Sequence, residues 1–115
     1  MLEERTRKIL LAIIKHCNII EETKKYFGNE YKDFENNSIY QNAILTPVTQ
    51  IGELVKRLPD DFRQAHTEIP WRNIVEMRDI VVYNYETIDK LILWNVADKE
   101  TDKIKDFCKK IINER

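Results

Sequence analysis

The sequence predicts an all-α fold, an up-and-down antiparallel bundle of four to five helices. Turn-forming residues are rare, because the 115 residues include only two glycines and three prolines. Between them, apolar residues recur at intervals of three and four, the spacing that places them on one face of an α-helix. A helix of about 25 residues is roughly 40 Å long, and short connections between such helices favour antiparallel neighbours.

The apolar spacing divides the chain into four long helical segments joined by short connections. The first segment should end at Gly28, because glycine readily adopts the left-handed conformation that closes a helix. A connector over residues 58–70 should contain a short helical piece over Phe62, capped by the paired aspartates before it. The long helices are expected at about residues 2–27, 30–57 and 71–97, and from Thr101 or Asp102 onward.

The same spacing predicts which side chains form the core. The first helix should bury Ile9, Leu10, Ile13, Ile14, Cys17 and Ile20. The second should bury Ile44, Val48, Ile51, Val55 and Leu58. The last should bury Ile104, Phe107, Cys108 and Ile111. The only two cysteines, Cys17 and Cys108, lie within these apolar patterns, which indicates small core residues rather than a disulfide framework or a metal site.

Composition indicates one soluble globular domain over residues 1–115. Apolar residues make up 43% of the chain and charged residues 34%, a mixture unlike that of disordered or membrane-spanning chains. Nineteen basic residues against twenty acidic ones exclude a strongly cationic nucleic-acid coat. The N-terminal apolar run is too short for a membrane span and lacks a signal-peptide cleavage pattern. We therefore expect a cytoplasmic protein that does not bind a membrane.

One segment of the third helix, RDIVVYNY at residues 78–85, carries an arginine and two tyrosines inside an apolar pattern. Residues seven apart lie about 20° from eclipsed on an α-helix, so Trp71, Arg78 and Tyr85 should share one stripe. Asp89 should continue that stripe. Tyr83 should point elsewhere, because residues five apart differ by about 140°.

Two interpretations of this polar stripe are open. Arg78 and Tyr83 cannot converge within one straight helix, so the same helix from a two-fold partner would have to supply the missing side chain. That interpretation predicts a site shared by a homodimer. Alternatively, the stripe is an ordinary helix interface, in which Arg78 pairs with a nearby carboxylate and the tyrosines keep their hydroxyls in water. The carboxylates within reach are those of Asp79, Glu86 and Asp89.

Three segments resemble a known family over most of the chain. These are IGELVKRL at residues 51–58, IPWRNIVEMRDIVVYNYETID at residues 69–89 and LWNVAD at residues 93–98. They look like the HepT-like toxins of the HEPN superfamily, whose signature is Arg-x4-His-x-Tyr. Arg78 matches the arginine and Tyr85 the tyrosine, whereas Tyr83 stands where the family has histidine.

The resemblance implies a HEPN-like homodimer that acts as a metal-independent endoribonuclease toxin on RNA, without a cofactor. It also implies a partner, an MntA-type nucleotidyltransferase antitoxin that silences the toxin by transferring AMP to the signature tyrosine. By position, Arg78 would stabilise charge on phosphate oxygens, residue 83 would be the general acid and base, and Tyr85 would accept AMP. Asp79 would orient Arg78 or contact RNA.

Tyrosine at position 83 predicts strongly reduced cleavage. Histidine, with a reference pKa near 6.5, can both take and give a proton at pH 7, whereas tyrosine, with a reference pKa near 10, is ionised in only about one molecule in a thousand. Tyr83 fits a natural variant that binds RNA or a partner without cutting, a variant in which tyrosine positions substrate, or a substitution acquired during cloning. A second class of function is an inactive dimeric partner or substrate-binding subunit of a nucleotidyltransferase.

Other polar positions near the signature have simpler interpretations. Gly52 should let another helix approach closely, and the Glu53 carboxylate should pair with a buried basic group. Arg72 fits either a phosphate contact or a solvated residue at a helix start. Trp71 and Trp94 are expected to be core or interface aromatics.

Overall fold

A computed structural model describes residues 2–83 and 89–114 of the chain, with residues 77 and 80–83 described as backbone. These ranges contain helices and no strand, so the prediction of an all-α bundle is confirmed. A π-helical turn, Val96–Glu100, joins the last two helices. The helices are α1 Glu4–Phe27, α2 Tyr31–Glu35, α3 Ser38–Arg57, α4 Asp60–Ala65, α5 Trp71–Tyr83, α6 Lys90–Asn95 and α7 Thr101–Asn113.

Helix α1 packs against α3 and α7, and α3 also packs against α5. The predicted apolar stripes face these contacts. All the expected core residues of α1 are buried except Ile14, and all those of the second predicted helix are buried. In α7, Ile104, Phe107 and Cys108 are buried and Ile111 is half-buried. The 3.6-residue spacing therefore identified the core correctly.

The second predicted helix, over residues 30–57, is wrong in one respect, because the chain breaks after α2. At the break, the Asn37 side-chain oxygen accepts a hydrogen bond from the backbone N–H of Tyr40 at 3.0 Å and so begins α3. Asparagine favours such positions because its side chain satisfies an N–H that the first turn of a helix leaves unpaired. Glu30 precedes α2, and its N–H donates to Asp33 Oδ2 at 3.2 Å.

The third predicted helix, over residues 71–97, is also wrong as a single straight helix. Asp89 has extended backbone, with φ −73° and ψ 112°, and its Oδ1 accepts from the N–H of Leu91 at 2.9 Å and of Ile92 at 3.4 Å. Asp89 therefore caps a new helix, α6, instead of continuing the stripe of Arg78. The Asp89 carboxylate satisfies N–H groups at a helix end that carries partial positive charge.

The expected break before the last helix does not occur. The π-helical turn Val96–Glu100 carries the chain from α6 into α7 without an interruption, and Thr101 Oγ1 donates to Ala97 O at 2.7 Å. The threonine hydroxyl, which suggested a helix start, instead satisfies a carbonyl of the preceding turn.

The two tryptophans match their predictions, and the connector matches in part. Helix α4 covers Phe62, but the paired aspartates form its first turn instead of capping it, and Pro59 at the N-cap supplies no side-chain cap. Trp71 and Trp94 are both buried, and the Trp71 indole N–H donates to His66 O at 2.8 Å. Both cysteines are buried as well, and burial raises the pKa of each thiol to about 12. Among the helices that the structure describes, none is both long and apolar enough to cross a membrane.

Candidate functional site

Arg78 lies on α5 where this helix passes close to Gly52 of α3. A Cβ atom built on Gly52 of α3 would stand 2.9 Å from Arg78 Cγ, and closer still to Arg78 Cβ. It would also lie 3.5 Å from Ile74 O. Glycine is needed at position 52 because any larger residue would push α5 away, and the prediction of a close helix approach at Gly52 is confirmed.

The next residue of α3 holds the arginine electrostatically. Arg78 Nη2 forms an ion pair with Glu53 Oε1, across the interface that Gly52 keeps narrow. The Arg78 side chain is 19% exposed and that of Glu53 is 34% exposed. The prediction that Glu53 pairs with a basic group of the interior is therefore confirmed, and the basic group is the arginine of the signature.

Asp79 holds the other terminal nitrogen of the same guanidinium. Arg78 Nη1 donates to Asp79 Oδ1 at 2.9 Å, and the Asp79 side chain is 46% exposed. The guanidinium is planar and permanently charged, so carboxylates on two different nitrogens fix the direction of its plane. The Arg78–Asp79 pair fits the expected orienting role of Asp79 and also the helix-interface interpretation, so that role stays a prediction.

The other signature residues are placed only in part. Tyr83 is the last residue of α5 and is described as backbone. Tyr85 and Glu86 lie outside the described residues, so the structure does not test the AMP-acceptor site or an Arg78–Glu86 pair. Asp89 is not aligned with Arg78 on one helix, because it caps α6.

A separate groove of about 630 Å³ lies between α4 and the start of α5, and Arg78 does not line it. Arg72 and Arg63, which do line it, are each paired with a carboxylate: Arg72 Nε lies 3.0 Å from Glu76 Oε1, and Arg63 is paired with Asp60. The Arg72 side chain is 90% exposed. Arg72 is therefore a solvated residue of the helix start, one of the two interpretations that the sequence allowed.

The comparison with known proteins identifies the family. The family described as ribonuclease HepT-like matches residues 16–111. This chain belongs to the HepT-like ribonuclease family. The match includes α5 with Arg78, and α3 with Gly52 and Glu53.

Named relatives agree with this assignment. The HepT-like chain is 34% identical over 102 residues to a "gamma-glutamylcyclotransferase and putative RNase" of Methanocaldococcus jannaschii, covering 89% of this chain and 45% of that longer protein. It is 31% identical over 106 residues to a protein of Caldanaerobacter subterraneus subsp. tengcongensis named as a putative RNase, covering 92% and 93%. It is 32% identical over 81 residues to a "probable ribonuclease HepT" of Thermococcus cleftensis, covering 70% and 74%. No solved structure matches it significantly.

Gly52→Val is expected to lower the free energy of unfolding by about 3 kcal/mol, because the added atoms overlap Arg78 and force α3 and α5 apart. Urea titration followed by circular dichroism measures the change. Gln50→Val is the matched control, since Gln50 is an exposed residue of the same helix and should cost about 1 kcal/mol or less. Equal losses for the two variants would show that the contact at Gly52 does not limit the helix approach.

Proposed function

We propose that this HepT-like chain is the toxin component of a toxin–antitoxin pair, a metal-independent endoribonuclease whose cleavage site contains Arg78 and residue 83. Metal-free cleavage of RNA needs a group that takes the 2′-hydroxyl proton, a group that protonates the leaving oxygen and a cation for the phosphorane. Family membership supports the reaction class. The observation that carries the proposal is the Arg78 guanidinium, which Glu53 and Asp79 hold from two sides.

A homodimer completes the proposed site. Arg78 and Tyr83 are separated by five positions on α5, and positions five apart on an α-helix face directions about 140° apart. Two copies of α5 that meet across a two-fold axis would bring Arg78 of one chain toward residue 83 of the other. A tyrosine at position 83 supplies a poor acid and base near pH 7, so we expect weak cleavage by this chain.

Cleavage is tested with purified protein and labelled single-stranded RNA in EDTA, comparing this chain with Tyr83→His. The proposal expects product from the histidine variant and little or none from the unaltered chain. If both are inert on RNA and harmless in cells, the toxin assignment loses its main support. Light scattering measures the molar mass of the protein in solution and so tests the homodimer separately. A monomeric mass would contradict a site shared between two chains.

Regulation is the second part of the proposal: an MntA-type nucleotidyltransferase partner transfers AMP from ATP to Tyr85. An adenylate on this tyrosine of the signature would add negative charge and bulk, and we expect it to block access of RNA. After incubation with the transferase and ATP, mass spectrometry is expected to show one AMP on the peptide that contains residues 83 and 85. Tyr85→Phe should abolish the addition, whereas Tyr26→Phe, at an 81% exposed tyrosine of α1, should leave it intact. An unmodified peptide would contradict this regulation.

Tyr83 itself favours one alternative function. Without the histidine, a dimer of this chain would serve as an inactive partner or substrate-binding subunit of the nucleotidyltransferase. The two functions differ in the Tyr83→His variant, because a pure binding subunit gains no RNA cleavage from the change. Binding of the transferase is expected in both cases and does not separate them.

A further inference from the structure

We infer that Asp79 competes with the substrate phosphate for Arg78 and is displaced when RNA binds, whereas Glu53 remains in place and positions the guanidinium. This inference rests on the proposed function, since it assigns the order of events at the same arginine. It gives the two carboxylates different roles.

The surroundings of the two carboxylates differ. Glu53 reaches Arg78 from another helix, next to Gly52, where α3 and α5 are in close contact. Asp79 belongs to the same helix as Arg78 and is the more exposed of the two, at 46% against 34%. An exposed ion pair contributes little to stability and exchanges readily with water and solutes. Asp79 is therefore the partner that an incoming anion can replace.

Charge favours this replacement. Among the residues that the structure describes, the Arg78 guanidinium faces two carboxylates, so these three groups together carry a net negative charge when all are ionised. A phosphodiester that approaches Arg78 is repelled while both carboxylates stay in place. If the Asp79 side chain rotates away, a phosphate oxygen can accept the hydrogen bond from Nη1 that Asp79 accepts in the free protein. Guanidinium N–H groups suit carboxylate and phosphate oxygens equally well.

The ion pair with Asp79 keeps the Arg78 side chain ordered before substrate binds. A long cationic side chain loses conformational freedom when it is fixed, and Asp79 keeps Arg78 fixed before RNA arrives. Glu53 then maintains the direction of the guanidinium during the exchange. The competition weakens RNA binding, because the phosphate must displace a carboxylate that is already bound.

The test measures binding of a short labelled single-stranded RNA by fluorescence anisotropy at fixed salt. Asp79→Asn is expected to tighten binding about threefold to fivefold, the size of a surface charge pair. Glu22→Gln is the matched control: it removes one negative charge from an exposed residue of α1 and should leave Kd nearly unchanged. Glu53→Gln removes the same charge beside Arg78 and is expected not to tighten binding, because the guanidinium loses its fixed partner.

The outcomes are distinct. If Asp79→Asn binds RNA more weakly than the unaltered chain, or equally well, the inference is overturned. It is also overturned if Asp79→Asn and Glu53→Gln tighten RNA binding equally, because that result indicates a general effect of removing negative charge. In the Tyr83→His background, Asp79→Asn should lower KM by about the factor seen in Kd, whereas Glu53→Gln should lower kcat. A loss of folding would not lower KM. If Arg78→Ala leaves RNA affinity unchanged, the proposed site itself fails, whatever Asp79→Asn does.

Discussion

Tyr83→His is expected to raise the rate of RNA cleavage about a hundredfold or more, the usual contribution of a positioned general acid and base. Near pH 7, a histidine side chain populates both its neutral and its protonated form, so it can both accept and donate a proton. To match it, a tyrosine would need its phenolate stabilised by about 4 kcal/mol relative to the phenol. Single-turnover cleavage of labelled RNA in EDTA measures the effect.

A control variant separates this gain from a nonspecific effect of histidine. Tyr26→His makes the same exchange at an 81% exposed position of α1 and should leave the cleavage rate unchanged. If Tyr83→His cleaves no faster than the unaltered chain, residue 83 is not the proton-transfer group. If the unaltered chain already cleaves at the rate of Tyr83→His, tyrosine is sufficient and the expected loss of activity is wrong.

Arg78→Ala, made in the Tyr83→His background, is expected to reduce cleavage about a hundredfold to a thousandfold. This is the usual cost of removing one preorganised group that stabilises charge in a transition state. Arg78→Lys should restore only part of the rate, because lysine keeps the charge but not the planar pair of N–H donors that Glu53 and Asp79 hold. Single-turnover rates measure both effects.

Arg72→Ala provides the comparison for Arg78→Ala. It removes an arginine from the same helix, but one that is exposed and paired with Glu76, so its effect on cleavage should be small. The free energy of unfolding must be measured for Arg78→Ala, since the change leaves the partly buried Glu53 carboxylate without its cation. Equal cleavage by both alanine variants would remove Arg78 from the site.

The core was predictable from the sequence because burial imposes a repeated spacing on the residues that share a face. The stripes of α1 and α3 follow that spacing, and all their expected residues except Ile14 are buried. The helix ends at Asn37 and Asp89 were not predictable in the same way. A polar residue that caps a helix and one that faces water inside a helix look alike in the sequence, and the choice depends on tertiary packing.

The sequence predicted what kind of contact some residues of the candidate site make, but not which residue each one meets. Gly52 indicated a close helix approach, and Glu53 beside it indicated a carboxylate for a basic group, which the contact with Arg78 confirms. Which basic group pairs with Glu53 depends on how α3 and α5 align. The spacing of residues within one helix does not determine that alignment. The roles of Tyr83 and Tyr85 and the homodimer stay predictions, because a site shared between chains depends on surface complementarity.

The π-helical turn Val96–Glu100 lets one continuous helical segment serve two different neighbours. Before the turn, Trp94 packs against the aromatic rings of Phe34 and Tyr40, and after it α7 lies along α1. A π turn contains one more residue than an α-helical turn. The apolar face of the helix after the turn is therefore rotated about the helix axis relative to the face before it. Deleting a single residue there would leave α6 and α7 helical but would turn the apolar face of one of them toward water. The number of residues in this turn is therefore constrained more tightly than their identity.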